Sequence, residues 1–258
     1  MSLRQFIEAR DGVDRTLVLA NRSQPEQLRS MIEGMFAEQP VSVDDDAVAD
    51  VPADTVLLLD DTGSVLAQSP LAAVAESLLF TNSDAFITGS IDLDEVDLPA
   101  VITGLEGVTF RLRGFPHSHK EKLLLIAVSR QIERASWEHG DGTHRASFQK
   151  LSRIVDEQGT QRVYRELGRS DVDTHVYGTG DDLPEEAYEL GVTVHTGETA
   201  DYRDSWFVLH RPVGADDASG PDPLAMLAIQ DDDGVWEGFF TSDPAEALPI
   251  DDYVRREL

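Results

Sequence analysis

The chain has no cysteine. This excludes disulfides, cysteine-ligated zinc, iron–sulfur clusters and thiol catalysis. Positive charge is scarce: 21 Lys+Arg stand against 49 Asp+Glu, a formal net charge of -28 over 258 residues. Lys120, Lys122 and Lys150 are its only lysines. A phosphate backbone or an anionic lipid surface needs basic patches to bind, so neither nucleic acid nor membrane is expected as a partner. No apolar run approaches the ~18 residues of a membrane span, and the opening MSLRQFIEARDG has no apolar core of a signal peptide. A soluble, cytoplasmic protein is the expectation. The sequence has no G-x-S-x-G elbow, no phosphate-binding loop, no G-x-G-x-x-G and no H-E-x-x-H, and no internal repeat.

What is present is organised around residues 114–149. Ser118, three residues before Glu121, is a capping box, and Pro116 lies just upstream of it. Leu125, Val128, Ile132 and Ala135 recur at spacings of three and four, which predicts a long helix with a core-facing stripe. Arg130, Glu133, Arg134 and Trp137 share a second side. That side reads either as a solvated face with ordinary ion pairs or as a ligand- or partner-binding face, because Trp137 is costly to expose beside fixed charge. Gly140-Asp141-Gly142 ends the helix, and a strand follows.

Around this stretch, residues 15–21 read as a buried strand and Ser23-Gln24-Pro25-Glu26 as a second capping box opening a helix to about residue 36. Residues 44–54 read as an Asp-rich loop, 56–69 as a hairpin about Asp60-Asp61-Thr62-Gly63, and 71–80 as a short helix. Residues 81–89 read as a loop leading to a short strand or turn. Pro99 begins another short helix, and 108–113 alternates like an exposed strand. Residues 151–167 give two helical pieces. Five strands follow, at 172–178, 192–197, 205–211, 224–230 and 235–241, with turns at 214–223 and 231–234. Asp243-Pro244 caps a terminal helix. The fold class is therefore α/β of the α+β kind: a mixed, largely antiparallel sheet in the C-terminal half, a long central helix and flanking helices. The composition shift near residue 113 suggests an N-terminal α/β lobe (1–113) and a second domain (114–258), with one continuous domain as the alternative.

Three groups of residues are candidates for chemistry. His117, Ser118, His119 and Lys120 at a helix start suit a small anion, or are a cap with solvated histidines. His175 and Tyr177 on one strand, with His195, His210 and Trp206 on neighbours, would form a ring-lined pocket if those strands pair, or are satisfied core groups. The third group is the second side of the long helix. An H-x-H pair at 117 and 119 with His139 and His144 is too dispersed for a metal site, so no metal and no cofactor is expected.

The run GFPHSHKEKLLLIAVSRQIERASWEHGDGTHRASFQKLSRIVDEQGTQRVY, followed by VDTHVYG and DSWFV, resembles the DICT sensory domain, an input module of diguanylate cyclases and two-component systems. Helix 118–139 and Phe148-Gln149-x-Leu151-Ser152-Arg153 carry the likeness. The acid excess runs along the whole chain, where molar salt would screen its self-repulsion to a Debye length of about 3 Å, and in this it is similar to proteins of salt-in haloarchaea. The resemblance implies a non-catalytic signalling module of mixed α/β fold that binds a small ligand or a partner. The sequence contains no cyclase, kinase or receiver segment, so a signalling protein (histidine kinase, response regulator or another regulator) would be supplied in trans, and a homo-oligomer is allowed. A protein–protein adaptor without a ligand is the competing class, and a cryptic hydrolase the third.

Overall fold

The computed structural model describes residues 2–81, 98–113, 120–180, 185–231 and 233–258. A short helix, α1 (Arg4–Glu8), precedes β1 (Arg15–Ala20), whose apolar run is buried on both faces. α2 (Glu26–Phe36) crosses to β2 (Val41–Asp46), parallel to β1. β3 (Thr55–Leu59) and β4 (Val65–Pro70) form the expected hairpin, with β3 antiparallel to β1. The order of this sheet is β2-β1-β3-β4. α3 (Leu71–Thr81) follows, and α4 (Ala100–Thr103) starts directly after Pro99.

The second sheet begins with β5 (Phe110–Arg113). The long helix α5 (Lys120–His139) leads to β6 (Thr143–Lys150), then α6 (Arg153–Asp156), α7 (Gln158–Leu167) and β7 (Asp173–Thr179). α8 (Glu185–Tyr188), β8 (Thr193–Thr196), α9 (Ala200–Arg203), β9 (Ser205–Arg211), β10 (Leu224–Gln230), β11 (Val235–Thr241) and α10 (Pro244–Glu257) complete the chain. The order is β5-β11-β10-β9-β6-β7-β8. β6, β7 and β8 run parallel and the remaining pairs antiparallel, so the sheet is mixed and largely antiparallel, as expected.

The two faces of this sheet bury different helices. One packs Ala146, Val176, Val208 and Met226 against Leu125, Val128 and Ile132 of α5, so the stripe read from the sequence is the core stripe; Ala135, at its end, is half-buried. The other packs Phe207, Leu227 and Phe239 against Ile250, Tyr253 and Val254 of α10 and Leu3 and Ile7 at the N-terminus. The α5–β6 link requires glycine. Gly142 has φ +77°, and a β-carbon there would lie 2.2 Å from the Arg211 carbonyl oxygen.

Two local expectations are corrected. The expected Asp-rich loop at 44–54 begins as strand, because Asp44, Asp45 and Asp46 finish β2 in register with Val18, Leu19 and Ala20 while their side chains reach solvent at the sheet edge. Ser23 does not cap α2. Its amide and hydroxyl both donate to the Asp54 carboxylate (2.7 and 2.6 Å), a stronger acceptor, and Pro25 precedes the helix with no side-chain cap. Asp243 does cap α10, accepting from the Ala245 amide at 2.9 Å. The capping box at Ser118 and the reading of 82–89 lie outside the described residues.

The chain on either side of residue 113 shares one core. Leu17, Ile32 and Leu58 belong to the same apolar cluster as Leu125, Ile132 and Met226, and β5 pairs with β11.

Candidate functional site

The second side of α5 is not a solvated face. α7 covers it, so Arg130 and Glu133 are only 9% and 3% exposed. Arg130 donates to Glu133 (2.6 Å) and to Thr160 (2.7 Å), and Thr160 donates to Glu157 (3.0 Å). Tyr164 donates its single proton to Glu133 (3.0 Å), so its oxygen accepts from His144 Nε2 at 3.4 Å. That tautomer leaves Nδ1 to accept from Ser136 (2.8 Å), whose alternative acceptor is the Ile132 carbonyl. Burial pushes the Glu133 carboxyl up, with Arg130 opposing, and pushes the His144 imidazole down to about 3. This chain ties α5 to β6 and α7 and leaves none of its central groups open to a substrate. Phe148 closes it, edge-on to Tyr164 at 5.1 Å. Only Arg134, paired with Glu138 at 2.8 Å, and Trp137, 38% exposed, stand toward solvent. The expected face of four residues is therefore split by α7.

The expected ring pocket is also divided, because alternate residues of a strand point to opposite faces. His175, Tyr177 and His195 meet on the α10 face: His175 Nδ1 lies 2.9 Å from His195 Nε2, and Tyr177 stacks on His195 at 4.4 Å. Arg145 donates to the Tyr177 hydroxyl (3.0 Å) and to Asp251 (2.8 Å), and Asp173 lies 3.0 Å from His175. Trp206 and His210 lie on the α5 face. Trp206 packs edge-on to Trp236, and His210 lies 5.3 Å from the His139 ring. His210 is 1% exposed, and among the described residues its ring nitrogens make no hydrogen bond of good geometry; burial pushes it down to about 4, with the Thr143 backbone opposing. His117, Ser118 and His119 lie outside the described residues, and Lys120 is described only as the first residue of α5. Among the described residues, no group of three or more His, Asp or Glu is placed to hold a metal ion, and no helix is long and apolar enough to cross a membrane.

A concave site lies elsewhere. A groove of about 520 Å³ opens where the start of β1, the end of α2, β2 and the β3–β4 turn converge. Phe36, Val41 and Val43 line it together with Asp14, Arg15, Glu33, Asp60 and Asp61. Arg15 donates to the Asp14 carbonyl (3.1 Å), while its buried Nε has no partner. Thr16 and Ser42 hydroxyls meet at 2.9 Å. Asp60 accepts from the hydroxyl and amide of Thr62 and from the Ser64 amide, which holds its carboxyl below the usual range.

Gln39 connects this groove to the large sheet. Its amide nitrogen donates to the Arg111 carbonyl (2.7 Å) and its amide oxygen accepts from the Arg111 N–H (2.9 Å). One side chain thus supplies β5 with the hydrogen bonds that a further strand would give. Sequence reasoning missed the groove and Gln39. The one available signal was that the alternating strand at 108–113 must find partners for its backbone.

No protein-family model matches this chain, and no curated protein matches it in sequence.

Proposed function

We propose that this chain is a non-catalytic sensory module of the DICT type, cytoplasmic and adapted to high salt, which takes a small polar ligand into the groove between β1, α2 and the β3–β4 turn. The ligand's arrival would shift the module between two conformations read by a signalling protein in trans. The observation that carries this reading is the paired hydrogen bonding of Gln39 to Arg111. A ligand that moves the end of α2 must move or release β5, and β5 is the outer strand of the sheet on which α5 packs. The groove sets apolar Phe36, Val41 and Val43 beside a larger number of polar groups, four of them carboxylates, which suits a small polar or cationic ligand.

A metabolite panel screened by thermal shift, followed by hydrogen exchange, tests this. A compound that raises the melting temperature is expected to change the exchange rate of the β5 amides in wild type. Gln39 also lines the groove, so binding to Gln39→Leu is measured first; a compound that still raises the variant's melting temperature should leave β5 exchange as in the free variant. Binding in the groove with no effect on β5 in wild type would contradict the coupling.

The adaptor reading is favoured by one observation, the 38% exposure of Trp137 beside the Arg134–Glu138 pair. Large exposed aromatics of this kind anchor protein interfaces.

A further inference from the structure

Charge is not spread evenly over this chain. Residues 111–169 hold 12 of the 21 Lys+Arg and only seven of the 49 Asp+Glu, a net charge of +5. The other 199 residues hold nine bases and 42 acids, a net charge of -33. Two arginines of the basic stretch are neutralised inside the protein, Arg130 by Glu133 and Arg145 by Asp251. At the surface, Lys150, Arg153, Arg162 and Arg169 are exposed and Arg165 is half-buried.

α7 aligns three of these. It buries Thr160, Val163, Tyr164 and Leu167, which turns Arg162 and Arg165 outward, and Arg169 follows in the turn that closes the helix. Spacings of three and four make them neighbours along about 10 Å of helix. Glu166 is the one acid between Arg162 and Arg169, and it lies 3.5 Å from Arg162. Among the described residues, no ion pair holds Arg165 or Arg169. The contacts of Arg130 with Thr160 and of Tyr164 with Glu133 set α5 and α7 side by side, running the same way. Trp137, 38% exposed and one turn beyond Glu133, therefore lies toward the Arg169 end of the row.

We propose that this face binds an acidic amphipathic helix of a partner protein, whose carboxylates recur at spacings of three and four opposite Arg162, Arg165 and Arg169 and whose apolar side meets Trp137. Charge selects the occupant. A nucleic-acid duplex carries a charge every ~1.7 Å and runs on past the row, over a surface that repels phosphate, whereas a helix confines its acid to the length of the row. A second copy of this chain meets the row only with a different part of itself, because the row repels its own mate, and such head-to-tail contacts do not close into a two-fold dimer. The face is separate from the groove in the first sheet. The sensory reading supplies only the partner's role, and the test below contains no groove ligand, so the two fail separately.

In about 1 M KCl a Debye length of about 3 Å screens the repulsion of the bodies and leaves direct contacts. The probe is a synthetic alanine-rich helix of about 20 residues with Glu at spacings of three and four along one side and Leu beside them, compared with its twin carrying Gln for every Glu. By fluorescence anisotropy the wild type is expected to bind the Glu helix at least about tenfold more tightly than the Gln helix. Arg162→Glu with Arg169→Glu should lose that preference and take up a Lys version of the helix instead. Arg255→Glu with Arg256→Glu, the same charge change at the exposed end of α10, should bind the Glu helix as wild type does. Circular dichroism and melting report folding, and Arg162→Gln with Arg169→Gln, which adds no acid to α7, must lose the preference too if the charge reversal unfolds the protein. The proposal is overturned if the wild type does not prefer the Glu helix, or if the folded variant keeps that preference or ignores the Lys helix. It is overturned equally if these arginines serve instead to bind a duplex of about 20 base pairs in the same salt, or to hold copies of the wild type together in sedimentation equilibrium.

Discussion

Two buried histidines make this fold sensitive to acid. An imidazole in the unfolded chain titrates near 6.5. In the folded protein, burial lowers His144 to about 3 and His210 to about 4. Both shifts are downward, so below about pH 6.5 the unfolded chain binds more protons than the native one. The stability these residues contribute is complete above that pH and is lost as the pH falls toward about 4 for His210 and about 3 for His144. Each adds a slope of about 1.4 kcal/mol per pH unit within its window. The two differ in consequence, since His144 is held by the Ser136 and Tyr164 side chains while His210 faces at most a poorly aligned Thr143 backbone group. Urea midpoints between about pH 7 and about pH 5, in molar salt to hold carboxylate repulsion constant, are expected to show a shallower pH slope for His210→Phe, with no loss at pH 7. An unchanged slope would mean that His210 titrates normally. Single residues were only partly legible in the sequence. The spacing of Leu125, Val128 and Ile132 identified the core stripe, but the spacing of Arg130 and Glu133 says only that they share a side, and it is α7, distant in sequence, that buries them.

At the scale of elements, the Arg130–Glu133 pair is the joint between α5 and α7. Removing one partner of a buried ion pair leaves an uncompensated charge, so Glu133→Gln is expected to cost about 3–5 kcal/mol in urea unfolding. The double variant Arg130→Met with Glu133→Leu should recover most of that loss, because well-packed apolar replacements of a buried pair are often neutral. A double variant as unstable as Glu133→Gln would show that Tyr164, Thr160 and His144 need the pair for their own hydrogen bonds. Most elements could be read from local chemistry: the 3.6-residue period of α5, the alternation of the C-terminal strands, Pro99 before α4 and Asp243 before α10. β2 could not, because VSVDDD has the composition of a loop and becomes a strand only through pairing with β1. Sharing a sheet is also not sharing a face. Trp206 and His175 were expected in one pocket, and the alternation of strand residues sets them on opposite sides of the sheet.

At the scale of the whole molecule, the second sheet lies between α5 and α7 on one face and α10 with α1 on the other, and the groove lies in the first sheet, joined to β5 by Gln39. The groove draws on three stretches of chain, around residues 14–16, 33–43 and 60–61, that no local pattern links. That is why the sequence pointed to α5 and the histidine strands and not to it. A sensor with such a site should carry its ligand out of the cell when affinity is high enough. Native mass spectrometry of protein taken from the cells that produce it, exchanged rapidly out of high salt, tests this most directly, with Ser42→Trp as the variant that fills the groove from an exposed position. The account predicts an additional small mass on wild type that is missing from a folded Ser42→Trp. A bare wild-type chain, or a small mass retained equally by Ser42→Trp, would contradict it.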